Sequence, residues 1–513
     1  MNPPDTVGDI GSDHYIQMVN ATVVSIYDKT DASLISRFDL TTLGGCSTGN
    51  GDPIVLYDHL ADRWLLSEFG PGNSLCVFIS QTPDPTGAYF SYQFSTPGFP
   101  DYPKYGVWPD AYYVTTNESS PSNYALDRDE MLLGNPATSQ RFTAPPLSGF
   151  GFQALTPADL DGPPPPAGSP NYFMRHRDTE AHGPAGFPTE DFLEIWGFSV
   201  DWANPGNSSF TQVANISVSE FDSDICGFFA FNGIPMPGVP KCSGSSLDPL
   251  REVVMFRLQY RNFGSHEALV GNLVTDVTGN DDAGVRWFEL RKVGAGAWGL
   301  HQEGTYAPDG DGRWMGAIAM DGSGNIALGY NVSGSATFPS LRYTGRLATD
   351  PLGTMPQGEY NIVAGSGVNG SNRYGDYSAM SVDPEDDCTF WFTGEYNPTS
   401  QWSTRIAAFR FDACGGPFHL EPEPPELDVC VPDDAVYDIR VLLDQPGFSD
   451  PVDLDAVGEP AGTTVNFSLD NLPPPFTSTL TIGNTGAASA GSYSVAVVGM
   501  APTTTHTTTI GLR

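Results

Sequence analysis

Apolar and polar positions alternate in short runs along almost the whole chain, and no stretch sustains a capped helical period. The pattern is clearest at 374–397, YGDYSAMSVDPEDDCTFWFTGEYN. Tyr377, Ala379 and Val382 mark one strand, Asp383 to Asp387 form an acidic turn containing a proline, and Phe390 and Phe392 mark the returning strand. The same strand–turn–strand shape occurs at 51–70, 105–118 and 314–333. Repetition at roughly 40–60 residues, with four strands per unit, predicts an all-β protein built as a β-propeller of about seven blades. The units expected are 8–45, 51–97, 104–145, 150–220, 250–307, 313–365 and 373–414, with an insertion near 219–249 that has no strand character. Within them, 14–29 reads as two adjoining strands, 33–40 as a third and 252–262 as another.

The rhythm changes after 414. Residues 415–426, GGPFHLEPEPPE, read as a Pro- and Glu-rich linker. Residues 427–513 carry strand-like runs at about ten-residue spacing, which predicts an Ig-like β-sandwich. The expected domains are therefore 1–414, a linker at 415–426, and 427–513.

Composition narrows the partners. The formal net charge is −38, from 23 Lys+Arg against 61 Asp+Glu. That balance disfavours nucleic acid and anionic membrane surfaces, and no apolar run is long enough to span a bilayer. The opening MNPPDTVGDIG lacks a basic region and an apolar core, and is read as the start of a chain whose signal peptide has been removed. Seven cysteines fit that reading as local pairs: Cys46 with Cys76, Cys226 with Cys242, and Cys388 with Cys414, leaving Cys430 over.

The phrases GDYSAMSVDPEDDCTFWFTGEY, RWMGAIAMDGSGNIALGY and YPKYGVWPDAYYVTTNE resemble propeller regions of secreted bacterial proteins that often precede Ig-like adhesive modules. HYIQMVNATVVSIYDK and YRNFGSHEALVGN are similar to the same group. The resemblance implies a fold and a secreted or cell-surface location. It implies no catalytic residues.

Two sets of residues carry candidate chemistry. Cations precede several strands at comparable places: Lys104 with Tyr105, Arg313 with Trp314, and Arg373 with Tyr374 and Asp376. Arg261, His266 and Glu267 precede another. If these converge at one end of a central channel, guanidinium and ring together suit an acidic saccharide or a carboxylate of a partner protein. The competing expectation is that they pair with nearby carboxylates and lock blades together. The second set is acidic turns with Ca²⁺ as the expected ion: Asp309 and Asp311, Asp321 and Asn325, and Asp383, Asp386 and Asp387. Asp and Asn also occupy such turns merely to hydrogen-bond their own backbone.

Function is accordingly expected to be extracellular binding, adhesion or assembly, with a glycan or protein partner and contacts of the Ig-like domain with further copies. The alternatives are a glycosidase- or sialidase-like propeller enzyme and a structural subunit of a fibre or layer. Against a sialidase, the Ser-x-Asp-x-Gly-x-x-Trp turn is not evident, and 321–325 is only a loose echo of it.

Overall fold

The strands that open each unit are the most deeply buried, and burial falls away outward. Val7–Ile10 is buried at every position, whereas Leu34–Asp39, three strands later, is mostly exposed. A computed structural model describes residues 2–513 except 150, 151, 153, 183–189, 228, 229, 417, 444–447 and 503. Up to 410, its strands form seven successive antiparallel meanders. Their opening strands are Val7–Ile10, Ile54–Asp58, Asp101–Val107, Thr156–Asp161, Leu258–Asn262, Gly312–Met320 and Ala379–Val382. Six meanders have four strands, and the last has three among the described residues.

Opening strands of neighbouring meanders lie against one another, and Ala379–Val382 returns to Val7–Ile10, so the array closes. Two meanders fuse into one eight-stranded sheet because Ala158 to Asp161 pairs in parallel with Leu258 to Arg261. Closed radial packing of antiparallel sheets is a β-propeller. It buries both faces of each sheet and leaves only short edges exposed. Gly106 shows how tightly the opening strands approach: a Cβ there would stand 2.2 Å from the Ala158 carbonyl oxygen.

The structure corrects several expected boundaries. The first strand is Val7–Ile10, upstream of the two strands read at 14–29. Only Leu258–Asn262 of the expected strand at 252–262 pairs in a sheet. Ser219 of the 219–249 insertion ends the strand Ser209–Ser219; beyond it the described residues make only isolated bridges, yet Ile234, Met236 and Leu247 are buried in the main core.

A second compact unit spans Phe411–Arg513. Two four-stranded sheets enclose one core, in which Tyr437, Ile439, Val441, Leu480, Val495, Val497 and Ile510 alternate inward. The expected linker is not a linker. Phe418–Glu423 and Glu426–Leu427 are outermost strands of the two sheets, and Phe418 and Leu420 are buried. Pro422 is tolerated there because an edge strand does not need every backbone donor.

Disulfides join Cys46 to Cys76 and Cys226 to Cys242, and Cys388 and Cys414 are disulfide-bonded as well. Cys430 is free and exposed. No helix among the described residues is long and apolar enough to cross a membrane.

Candidate functional site

Neighbouring opening strands run the same way, so residues just ahead of them gather at one end of the channel. At that end Asp5, Asp52 and Asp376 each precede an opening strand with left-handed backbone, φ 46°, 46° and 60°. Tyr102 and Met315 repeat this conformation in two further meanders, at φ 51° and 49°. Non-glycine residues adopt it at a cost of about 1 kcal/mol each, and Asp tolerates it better than most.

These aspartates line a cavity of about 380 Å³ together with Asn20, Asp101, Tyr102, Asn117, Phe152, Phe231, Glu252 and Arg373. Hydrogen bonds fix several of them. Asn20 Nδ2 donates to Asp5 Oδ2 at 2.6 Å, and Asn117 Nδ2 donates to Asp101 Oδ2 at 3.1 Å. The Tyr102 N–H and the Tyr377 hydroxyl donate to Asp52 Oδ2 at 3.2 and 2.9 Å. Arg373 pairs with Asp376 and lies 3.5 Å from Asp248. Behind the wall, Lys104 Nζ sits 3.3 Å from the Tyr377 ring centre and 3.7 Å from that of Tyr102. It has no hydrogen-bond partner.

Burial and crowding raise the pKa values of these carboxyls. Burial raises Asp376 to about 8, the Asp248 and Asp52 charges adding to it while Arg373 pulls it down. Burial and Asp101 raise Asp52 to about 6, and burial with Asp52 and Asp376 raises Asp5 well above the usual range. Burial pulls Lys104 well below its usual pKa, although Asp52, Asp376, Asp5 and Asp101 oppose this.

The expected cationic ring does not form. Lys104, Arg373 and Asp376 do meet around this pocket, but carboxylates outnumber the cations there. Arg313 is fully buried elsewhere, bound to Asp309 at 2.7 Å and Glu359 at 2.9 Å, and Glu359 also accepts from Arg342 and the Tyr330 hydroxyl. Trp314 and Tyr374 pack on each other within the core, at 5.4 Å between ring centres. Tyr105 is buried with its hydroxyl 2.7 Å from Ser67 Oγ. Glu267 is held by Lys292 and Tyr260, and His266 stacks on Phe263. None of these six residues, Arg313, Trp314, Tyr374, Tyr105, Glu267 and His266, lines the pocket.

In the acidic turns, carboxylate oxygens are engaged by the chain itself. Asp309 accepts from Arg313 and the Asp311 N–H, and Asp311 accepts from Thr337. Asp321 accepts from the Ser323 and Asn325 N–H groups and the Asn325 amide. Asp383 pairs with Lys29, Asp387 with Arg261, and Asp386 accepts from Cys388 and Thr389. Among the described residues two other clusters bring three Asp, Glu or Cys ligand atoms together: Cys226, Cys242 and Asp281, and Asp178, Glu180 and Asp191. The first contains a disulfide, and in the second Asp178 and Asp191 accept from backbone N–H groups.

Outside this cavity's lining, Arg257 pairs with Asp159 at 2.6 Å and with Asp161 at 2.5 Å. Burial raises the neighbouring Asp9 to about 7, with Arg257 opposing. Asp9 and Asp376 give a testable pH dependence. Each binds its proton more tightly folded than unfolded, so its stabilisation is present at acid pH and is lost as pH rises through the folded pKa. Between about pH 6.5 and 8.5 the two together should cost about 2–3 kcal/mol. His176, lowered by burial to about 3, acts in the opposite sense and only at lower pH. Thermal melts should therefore show a falling midpoint over this window, with a shallower fall in Asp376→Asn. An identical slope in both proteins would reject the assignment.

No protein-family model and no curated protein matches this sequence. Among solved structures, the chain is similar to an engineered GH43 glycoside hydrolase with endo-xylanase and exo-arabinofuranosidase activity, at 11% identity over 97% of this chain and 98% of that one, TM-score 0.27. It is similar to the WD40 domain of SCAP from fission yeast, at 8% identity over 94% and 96%, TM-score 0.29. It is also similar to a PL25 ulvan lyase, at 8% identity over 85% and 90%, TM-score 0.28. TM-scores this low carry no argument, and the fold stands on its strand pairing.

Proposed function

We propose that the chain is a seven-bladed propeller followed by an Ig-like module, acts outside the cell, and binds a neutral or amino sugar in the pocket around Asp52 and Asp376. The observation that carries this reading is the convergence of Asp5, Asp52, Asp101, Glu252 and Asp376 on one cavity walled by Tyr102, Phe152 and Phe231. Carboxylates accept hydrogen bonds from hydroxyls or an ammonium, and aromatic rings pack on the apolar face of a sugar. The surplus of carboxylates repels an acidic saccharide, so the ligand differs in charge from the one the cations alone suggested. The disulfides support the extracellular setting.

Glycan-array and calorimetric binding with the full chain tests this. Neutral or amino sugars should bind, and Asp101→Asn should weaken binding by about 10–100-fold, as expected for a lost charge-assisted hydrogen bond. Preferential binding of uronates or sialosides would overturn it. A second reading, hydrolysis of the bound glycoside, is favoured by Asp376, raised by burial to about 8, standing beside Asp52, raised to about 6, a split of the kind that acid catalysis of glycosides uses. Turnover of a bound glycan that Asp376→Asn abolishes while binding persists would establish it.

A further inference from the structure

We propose that Asp5 and Asp52, with the amide oxygen of Asn20, hold a divalent cation of the Ca²⁺ class on the inner wall of this pocket. The inference is independent of the sugar reading. Asp5 is 2% exposed, and its Oδ1 has no hydrogen-bond partner. Asn20 Oδ1 is likewise buried and unpartnered, as is Oδ1 of Asp376, which lines the same cavity. The Asp5 and Asp52 carboxyl groups line one cavity together with Asn20. Acceptor-only groups gathered in one buried cavity need a proton or a cation to satisfy them.

The remaining oxygens aim this pair. Asp5 Oδ2 is held by Asn20 Nδ2, and Asp52 Oδ2 by the Tyr102 N–H and the Tyr377 hydroxyl. That leaves one oxygen of each carboxylate free of these bonds, beside the amide oxygen. The amide in turn is pressed against Gly51, at φ 110°, where a Cβ would stand 2.5 Å from Asn20 Oδ1. Hard oxygens of this kind suit Ca²⁺, which takes roughly six to eight ligands in flexible geometry, and the cavity has room for waters to complete the shell. Lys104, Arg373 and Arg251, the last beside Glu252 at 3.5 Å, supply the local positive charge, and six carboxyls face them: Asp5, Asp52, Asp101, Asp248, Glu252 and Asp376. The contrast is with the acidic turns, where backbone and side-chain donors already occupy the carboxylates.

The test is Ca²⁺ titration calorimetry of the full chain, with Tb³⁺ luminescence sensitised through Tyr102 and Tyr377 as a second readout. Asp5→Asn and Asp52→Asn keep the side-chain shape and tolerate the left-handed backbone, so both are expected to fold. Each should weaken Ca²⁺ by about 30-fold or more and remove the sensitised emission. The turn variant Asp386→Asn should leave both signals unchanged. Absence of Ca²⁺ binding to the wild type overturns the proposal. So does loss of binding in Asp386→Asn with retention in Asp5→Asn and Asp52→Asn.

Discussion

Arg313→Ala is expected to cost about 3 kcal/mol of the stability of residues 1–410 while leaving ligand binding intact. The side chain is fully buried and bridges Asp309 to Glu359, which also gathers Tyr330 and Arg342. Removing one partner of a buried ion pair leaves the other uncompensated, typically at about 3–5 kcal/mol. The lower end applies because Asp309 is half exposed and can rehydrate. Arg373→Ala should behave differently, since its side chain is 38% exposed at the pocket rim and its loss makes the cavity more negative. Urea unfolding and sugar binding of the two variants separate the roles. A wild-type unfolding midpoint for Arg313→Ala would show that the bridge adds nothing.

The two arginines were read together from sequence because each stands before a strand beside an aromatic residue. The left-handed residues supply the true alignment: Met315 matches Asp376, so Arg313 matches Tyr374 and Arg373 stands one position further upstream. A slip of one residue sends a side chain to the opposite face of a strand, and alternation alone cannot set that phase. Hairpins were legible because Asp- and Pro-containing turns bracket alternating strands, as in 374–397. Val7–Ile10 was not, being four residues long with a glycine and an aspartate among them. The expected linker at 415–426 misled because its prolines speak of extended chain, and extended chain at a sheet edge is a strand.

The pocket itself was hidden for a related reason. The scarce cations stand out in the sequence, whereas Asp5, Asp52 and Asp101 are three among many aspartates ahead of apolar runs. Their common feature, DT and DP directly before a strand and DY at the start of one, is a turn signal as much as a site signal. Only closure of the ring brings residues 5, 52, 101 and 376 to one cavity, and no local pattern encodes that meeting.

The larger effect is expected from Arg257→Met, which should destabilise the propeller by about 4–5 kcal/mol or prevent its folding near neutral pH. Arg257 is 4% exposed and joins Asp159 and Asp161, with Asp9 also within its field. Asp9 belongs to the first meander and the other two to the fourth, so one guanidinium neutralises carboxylates from separate parts of the ring. Methionine fills much of the volume, so the loss would report charge rather than packing. Uncompensated carboxyls can recover by taking up protons, and the defect should therefore shrink as pH falls toward 5. Adding Asp159→Asn and Asp161→Asn should restore most of the lost stability at neutral pH, because the charges that Arg257 neutralised are then gone. Equal destabilisation at pH 5 and pH 8, with no recovery in the triple variant, would mean that Arg257 acts through shape and hydrogen bonding and not through its charge.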